Sequence, residues 1–362
     1  MRKTFLQTIV VLATLLGAYL FYALAELVVA LFVAQIFAST VRPLVRKLMD
    51  WRVPRSIAIA VIYLLVAGAA VGLLVLAIPP LATLFVTLFA SNRLVSELNL
   101  ALFRMGFFLR SQFAVYLPVM TVPPALREML ENADQTMLEQ AMPLARNTSY
   151  YMGQIALAVV MSVYWLVARS SALKFLLRLS PVDHRRRIAA AWIDTEETLG
   201  AYLRGQVVLA LLIGVASLVG LLIFRVPNAV ALAIVAGLFE FIPFVGPFLG
   251  ALPAVLVGLS VSPLTAVLIG VWYMLVQQVE GNYLVPKIMH RSIGLHPLLV
   301  MLAIFGGYYL QGVVGALLAI PIAGAVQVIV RHLWLDDALG RVDLEQENET
   351  WRAATAEIGA DL

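Results

Sequence analysis

The sequence predicts an all-α polytopic membrane protein with about eight membrane segments, two of them helical hairpins broken by glycine and proline. Hydrophobic residues make up 62% of the 362 residues, charged residues make up 13%, and the mean hydropathy is +0.95. Several apolar runs reach the roughly 20 residues that a helix needs to cross a bilayer core about 30 Å thick. Lys and Arg occur in short clusters between these runs, which is typical of cytoplasmic loops and not of a nucleic-acid-binding surface. The chain has no cysteine, which excludes disulfides and thiolate metal sites.

Residues 1–80 predict a membrane hairpin followed by a third span. As one helix, residues 5–38 would extend about 51 Å, too long for one upright crossing and too short for two. A tight hairpin turning near residues 17–22 would place the basic residues on both of its flanks on the same side of the membrane. We expect residues 56–78 to form the third span and to end at Pro79-Pro80.

Residues 81–150 predict an extracytoplasmic insertion of amphipathic helices. Charged residues from Arg93 to Arg110 recur among apolar residues at helical spacing, and a second amphipathic helix is expected over residues 125–146. A structural cap, a partner-binding surface and an oligomer contact are all compatible with this pattern. Residues 151–169 then return as a span, residues 170–205 form a basic cytoplasmic helical loop, and residues 194–202 are expected to run directly into the next span.

Residues 206–331 predict a transport core made of two repeats. The first broken segment, residues 227–260, is interrupted at 243–247, and the second, residues 297–330, is interrupted at 312–315. Both open with a proline and carry Leu-Ala-Ile and Gly at matching offsets. Paired apolar segments that are broken by Gly and Pro at corresponding positions indicate the binding site of a transporter. If each segment returns to its own side, the charge rule makes them re-entrant hairpins of an inverted repeat. Two full crossings per segment fit the charges equally well. Residues 332–362 are expected to be an acidic cytoplasmic tail, so both termini are predicted to be cytoplasmic.

Polar residues at membrane depth are the candidates for a substrate or ion site, because hydrocarbon leaves them without water. A broken helix also leaves backbone groups that need a partner. Glu240 is a candidate for proton coupling, for cation binding or for accepting hydrogen bonds from a polyol. The alternative is that it only satisfies the backbone of its own loop. The candidate site residues are Gln206, Glu240, Pro243, Gly246, Pro247, Gln277, Gln278, Glu280, Asn282, Gln311 and Gly315. No catalytic motif is present in the sequence, so no enzyme activity, cofactor or metal is expected.

Several ordered motifs resemble the AI-2E family, the autoinducer-2 exporter-like permeases of bacteria and archaea. They are Gly200-Ala201-Tyr202-Leu203-Arg204-Gly205-Gln206, Glu240-Phe241-Ile242-Pro243-Phe244-Val245-Gly246-Pro247, Gln278-Val279-Glu280-Gly281-Asn282 through Pro286, Gly294-Leu295-His296-Pro297, and Ala319-Ile320-Pro321. Val41-Arg42-Pro43 resembles the family's turn after its first hairpin. The resemblance implies structural motif positions at Gly205, Pro286, His296, Pro297 and Pro321.

The resemblance also implies a multi-pass permease of the inner membrane that assembles as a homo-oligomer in the lipid bilayer. The first functional hypothesis is a secondary transporter that exports a small polar metabolite, similar to the quorum-sensing signal autoinducer-2, by movement of a broken-helix repeat bundle. The second is a sodium (or lithium)/proton antiporter. The third is a non-transporting scaffold whose partners dock on residues 81–150.

Overall fold

The structure, a computed structural model, describes residues 24–88, 93–113, 122, 124, 148–289 and 295–335. Every regular element in these ranges is helical, which confirms the all-α prediction. The helices are α1 (Ala25–Asp50), α2 (Arg55–Leu88), α3 (Arg93–Phe113), α4 (Thr148–Leu179), α5 (Arg185–Ile223), α6 (Ala229–Phe239), α7 (Gly246–Val261), α8 (Pro263–Val279), α9 (Val285–Met289) and α10 (Pro297–Val330). Within this part of the chain, six helices are long and apolar enough to cross a membrane, and α6 and α7 are shorter apolar helices. The predicted turn at 17–22, the predicted helix at 125–146 and residues 336–362 of the acidic tail lie outside the described residues.

Helix α1 continues to Asp50, so the expected turn at Val41-Arg42-Pro43 is wrong. Val41 and Val45 lie one helical turn apart and are both buried, which stabilises the helix through this segment. Pro43 is accommodated inside α1, because its fixed φ suits a helix although one backbone hydrogen bond is lost.

Helix α2 also passes the expected stop at Pro79-Pro80 and ends at Leu88. No charged residue occurs between Arg55 and Arg93. In an apolar environment, ending the helix would leave many backbone groups without hydrogen bonds, whereas the two prolines remove only two N–H donors. Hydrophobic context therefore outweighs the local signal of the prolines.

Helices α4 and α5 carry the return span and the basic loop. Helix α4 extends to Leu179, and a short 3₁₀ turn at Val182–His184 leads into α5. Helix α5 is continuous from Arg185 to Ile223, so the amphipathic segment 194–202 runs into the next span as predicted.

The chain divides into two compact units. One comprises Met1–Arg55, Ser149–Gly200 and Gly324–Leu362, and the other comprises Ser56–Thr148 and Ala201–Ala323. In the described part of the first unit, Leu173, Leu177 and Ala189 form an apolar cluster between α4 and α5. In the second unit, the core contains Leu221, Val226, Ala229, Leu232, Ala233, Ala254, Val257 and Ile269.

The first broken segment is a helical hairpin. Helix α6 ends at Phe239 and α7 begins at Gly246. A Cβ on Gly250 would lie 2.8 Å from the Cα of Ala236, although a straight helix would separate these residues by about 21 Å. A Cβ on Gly246 would lie 2.8 Å from the carbonyl carbon of Phe239, so only glycine permits this close return of the chain.

The second broken segment, α10, is a hairpin as well. Its helical conformation is interrupted at Gln311 and at Gly312, which has a φ of 59°. A Cβ on Gly307 would lie 2.8 Å from the carbonyl carbon of Gly315 and 3.1 Å from the Cβ of Ala319. In a straight helix Gly307 and Gly315 would be about 12 Å apart, so their contact requires the chain to reverse at the break. Both predicted breaks are therefore present.

Candidate functional site

The end of α6 is bound by a glutamine from α5. The last carbonyl groups of a helix have no intrahelical partner, and that of Glu240 accepts a hydrogen bond of 2.5 Å from Gln206 Nε2. Other groups in the turn are bonded within the main chain, since Ile242 N–H donates to Phe239 and Gly246 N–H donates to Ile242. The backbone of the break is thus satisfied by Gln206 and by the turn itself.

The Glu240 side chain forms none of these hydrogen bonds to the backbone of the break. It belongs to a residue only 5% exposed, and its Oε2 has no hydrogen-bond partner among the described residues. A buried polar atom without a partner is costly, and in a native structure it calls for a role. Of the two predicted alternatives for Glu240, this geometry favours a binding role over satisfaction of its own loop.

Glu280 lies opposite Glu240. Its residue is 6% exposed, and its carboxyl group lies close enough to that of Glu240 for the two to interact electrostatically. Gln277 Nε2 donates to Glu280 Oε2 at 3.1 Å. Glu280 opens a π-helical turn, Glu280–Leu284, between α8 and α9, and such turns occur frequently at functional sites.

Helix α5 meets the same region through Gly205. A Cβ at Gly205 would lie 3.0 Å from the Met289 sulfur, so the residue before Gln206 packs directly on α9. A larger residue at this position would require the Met289 side chain to move.

The described geometry brings the buried residues Gln206, Glu240 and Glu280 together with the exposed Gln277 in one polar cluster, which we call the carboxylate pair site. Two carboxylates this close and this buried cannot both carry full charge without a counter-ion. A proton shared between them, a bound cation, or a solute that donates hydrogen bonds would each relieve the repulsion. The site is therefore suited to a hydroxyl-bearing or cationic ligand.

The other predicted residues have more local roles. Asn282 Nδ2 donates to Gln278 Oε1 at 3.2 Å, and both side chains are exposed. Leu298 N–H donates to His296 Nδ1 at 3.3 Å, so His296 caps α10 ahead of Pro297. Pro243 lies in the turn of the first break, and Pro247 lies in the opening turn of α7. Gln311 lies at the second break, and Gly315 packs against Gly307. Pro286 is exposed in α9, and Pro321 is buried in α10.

A buried ionic cluster in the first unit was not predicted. Glu196, 3% exposed, forms an ion pair with Arg169 Nε and lies 3.6 Å from Arg42 Nη1. Trp165 Nε1 donates to the same carboxylate at 3.3 Å, and its ring stacks on Trp192. The sequence predicts only an orienting role for the basic residues of these segments, and no ion pair within the protein. The available signal was the presence of four acidic residues, including Glu196, inside the basic segment 170–205.

Comparison with known proteins gives a consistent family. The model of the AI-2E family transporter matches residues 9–334. YrrI of Bacillus subtilis is 33% identical over 54% of this chain and 55% of its own length, and YueF of the same organism is 27% identical over 83% and 82%; both bear a provisional designation as transport proteins. TqsA of Escherichia coli, named an AI-2 transport protein, is 28% identical over 85% of this chain and 86% of its own length. The alignment thus spans about half of YrrI and most of the other two relatives. The chain belongs to the AI-2E transporter family.

Proposed function

We propose that this protein is a secondary transporter that exports a small, polar, hydroxyl-bearing metabolite across the membrane. The observation that carries the proposal is the buried carboxylate of Glu240, which lies at the break of the first hairpin and has one oxygen without a hydrogen-bond partner in the described part of the chain. Hydroxyl groups of a solute would donate to this carboxylate, and the amide groups of Gln206 and Gln277 are close to the same place.

Movement of the two broken hairpins is the proposed mechanism. At 1.5 Å per residue, the 11 residues of α6 extend about 16 Å and residues 297–310 about 21 Å. Neither first arm is long enough to cross a core about 30 Å thick. These lengths favour re-entrant hairpins over full crossings, and the charge rule then gives them opposite entry sides, as in an inverted repeat.

The first solute to test is autoinducer-2. The name of TqsA assigns it AI-2 transport, and this chain aligns with most of TqsA. A small molecule with several hydroxyl groups also matches the hydrogen-bond acceptors of the carboxylate pair. If the solute is such a signal, the protein would contribute to quorum sensing.

Efflux from proteoliposomes tests the proposal. Vesicles loaded with labelled autoinducer-2 should release it faster with the native protein than without protein, and Glu240→Gln should reduce that rate at least tenfold. Glu197→Gln is the matched control, because it removes the same charge from an exposed position on α5 and should leave the rate unchanged. Equal rates for the native protein and Glu240→Gln would refute the site. No efflux by the native protein would refute this solute.

A second candidate function, sodium/proton exchange, is favoured by the contact between Glu240 and Glu280. Two carboxylates that alternate between a proton and a sodium ion would couple the two flows. An imposed sodium gradient should then acidify or alkalinise the vesicle lumen, detected with a trapped pH-sensitive dye. Glu280→Gln should abolish the signal. Solute efflux without any sodium-driven proton movement would refute exchange and leave the exporter hypothesis intact.

The proposed setting is the inner membrane of a bacterium or archaeon, with both termini in the cytoplasm and with several copies of the chain assembled. The basic segment 170–205 supports the cytoplasmic side through the positive-inside rule. Protease accessibility of a tag at each end, in right-side-out vesicles, tests the orientation. Native mass spectrometry from detergent tests the homo-oligomer.

A further inference from the structure

Helix α3 differs from the helices around it. Its sequence contains Arg93, Glu97, Arg104 and Arg110, whereas the preceding α2 has no charged residue after Arg55. Only residues 89–92 connect the two helices, a distance of at most about 18 Å when extended. Helix α3 must therefore begin close to the end of a long apolar helix.

One face of α3 packs against the second unit's apolar helices. The helix contacts α7 and α8, which meet at the tight corner of Ser262. Val95 is buried, and Asn99 Oδ1 accepts a 2.8 Å hydrogen bond from Val122 N–H. These contacts hold α3 beside apolar helices of the membrane region, so it does not project away from them.

A different face of α3 is apolar and exposed. Leu100, Phe103 and Phe107 are 43%, 59% and 68% exposed, and at 100° per residue they fall within an arc of about 60°. Arg104 lies about 40° beyond one edge of this stripe and Arg110 about 20° beyond the other, and both are exposed. An apolar stripe with a cation on each side is the pattern of a helix that lies in a membrane interface.

We infer that α3 is an interfacial helix that docks on phospholipids: Leu100, Phe103 and Phe107 enter the acyl region, while Arg104 and Arg110 bind lipid phosphate groups. Charge complementarity selects this occupant, because long arginine side chains next to aromatic rings inserted in the acyl region can reach phosphate from just below the headgroups. Since α3 also contacts α7 and α8, the bound lipid would fix the depth of the Ser262 corner, to which the first hairpin is joined. This role is independent of which solute is transported.

The native chain lacks cysteine, so a single introduced thiol can be spin-labelled without any background. The test uses Phe103→Cys and Phe107→Cys in the full chain, reconstituted into vesicles of phosphatidylethanolamine and phosphatidylglycerol. Collision rates of the label with oxygen, which partitions into lipid, and with a water-soluble nickel chelate are measured by power saturation. Leu64→Cys, at a 73% exposed position of α2, is the lipid-facing control.

The inference predicts that both α3 labels, like Leu64→Cys, collide several-fold more often with oxygen than with the nickel chelate. Dominant collision with nickel would mean that the stripe faces water, and protection from both reagents would mean that protein, such as a second copy, covers it. Either result overturns the inference. If a phenylalanine variant is not monodisperse in detergent, Leu100→Cys replaces it, because it reports the same stripe without loss of an aromatic ring.

Discussion

Gly306 and Gly307 are neighbours on the first arm of the second hairpin, but their surroundings differ. A Cβ on Gly306 would meet no atom of the described residues within 4 Å. A Cβ on Gly307 would lie 2.8 Å from the Gly315 carbonyl carbon. That atom belongs to the backbone, so no change of side-chain rotamer can relieve the contact. Gly306→Ala and Gly307→Ala therefore add the same methyl group at adjacent positions, one open and one occupied by the opposite arm.

The magnitudes follow from these distances. Carbon atoms in contact are normally about 3.5–4.0 Å apart, so Gly307→Ala must separate the arms by roughly 1 Å. Overpacking of this kind costs about 1–3 kcal/mol. Replacing a helical glycine by alanine stabilises the helix by about 1 kcal/mol, and this applies equally at both positions. Gly307→Ala should thus be less stable than Gly306→Ala by roughly 1–3 kcal/mol.

Thermal unfolding in a mild detergent, followed by tryptophan fluorescence, measures this difference. At about 2–4 °C per kcal/mol, the midpoint of Gly307→Ala should fall roughly 2–12 °C below that of Gly306→Ala. Gly306→Ala should unfold at or slightly above the native midpoint. Equal midpoints for the two variants would mean that the arms of α10 do not pack at Gly307 and Gly315, and the hairpin would be wrong.

Three further predictions concern buried polar groups and a close contact. Glu196→Gln should destabilise the protein by about 3 kcal/mol, since Arg169 would remain buried without its counter-charge, whereas the exposed Glu197→Gln should unfold like the native chain in the same assay. Gln206→Leu should slow transport while changing the unfolding midpoint little, because the Glu240 carbonyl loses its hydrogen-bond donor and α5 stays intact. A lower midpoint with a normal transport rate would contradict this. Gly220→Ala should destabilise the α5–α8 contact, because its Cβ would overlap the Trp272 ring and lie 2.7 Å from the ring atom Cε2. Gly270→Ala should not, because no described atom lies within 4 Å of its Cβ; indistinguishable midpoints would count against that packing.

Local signals predicted the spans and the breaks. Hydropathy marked the long helices, and proline with glycine marked both interruptions, because a single segment determines each of these features. The second break falls at Gln311 and Gly312, within the predicted neighbourhood, since Gly312 alone among its neighbours tolerates a positive φ at no cost.

Features that depend on packing between helices could not be predicted. Glu240 and Glu280 were each selected as polar residues at membrane depth, but nothing near either residue in sequence indicates that their carboxyl groups meet. Glu196 was overlooked for the same reason, because its importance depends on Arg42 and Arg169 from two other helices. Helix α2 continues past the two prolines to Leu88, because apolar residues follow them, although its candidate membrane span, Arg55–Pro79, ends at the predicted prolines.

The central claim is that Glu240 and Glu280 form the site that binds the transported solute or ion. Dicyclohexylcarbodiimide reacts with protonated carboxyl groups in apolar surroundings, and mass spectrometry of the digested protein locates the adduct. In reconstituted protein, modification at Glu240 or Glu280 should occur, and saturating autoinducer-2 or sodium should suppress it. Modification that proceeds at the same rate with and without every transported species would contradict the claim.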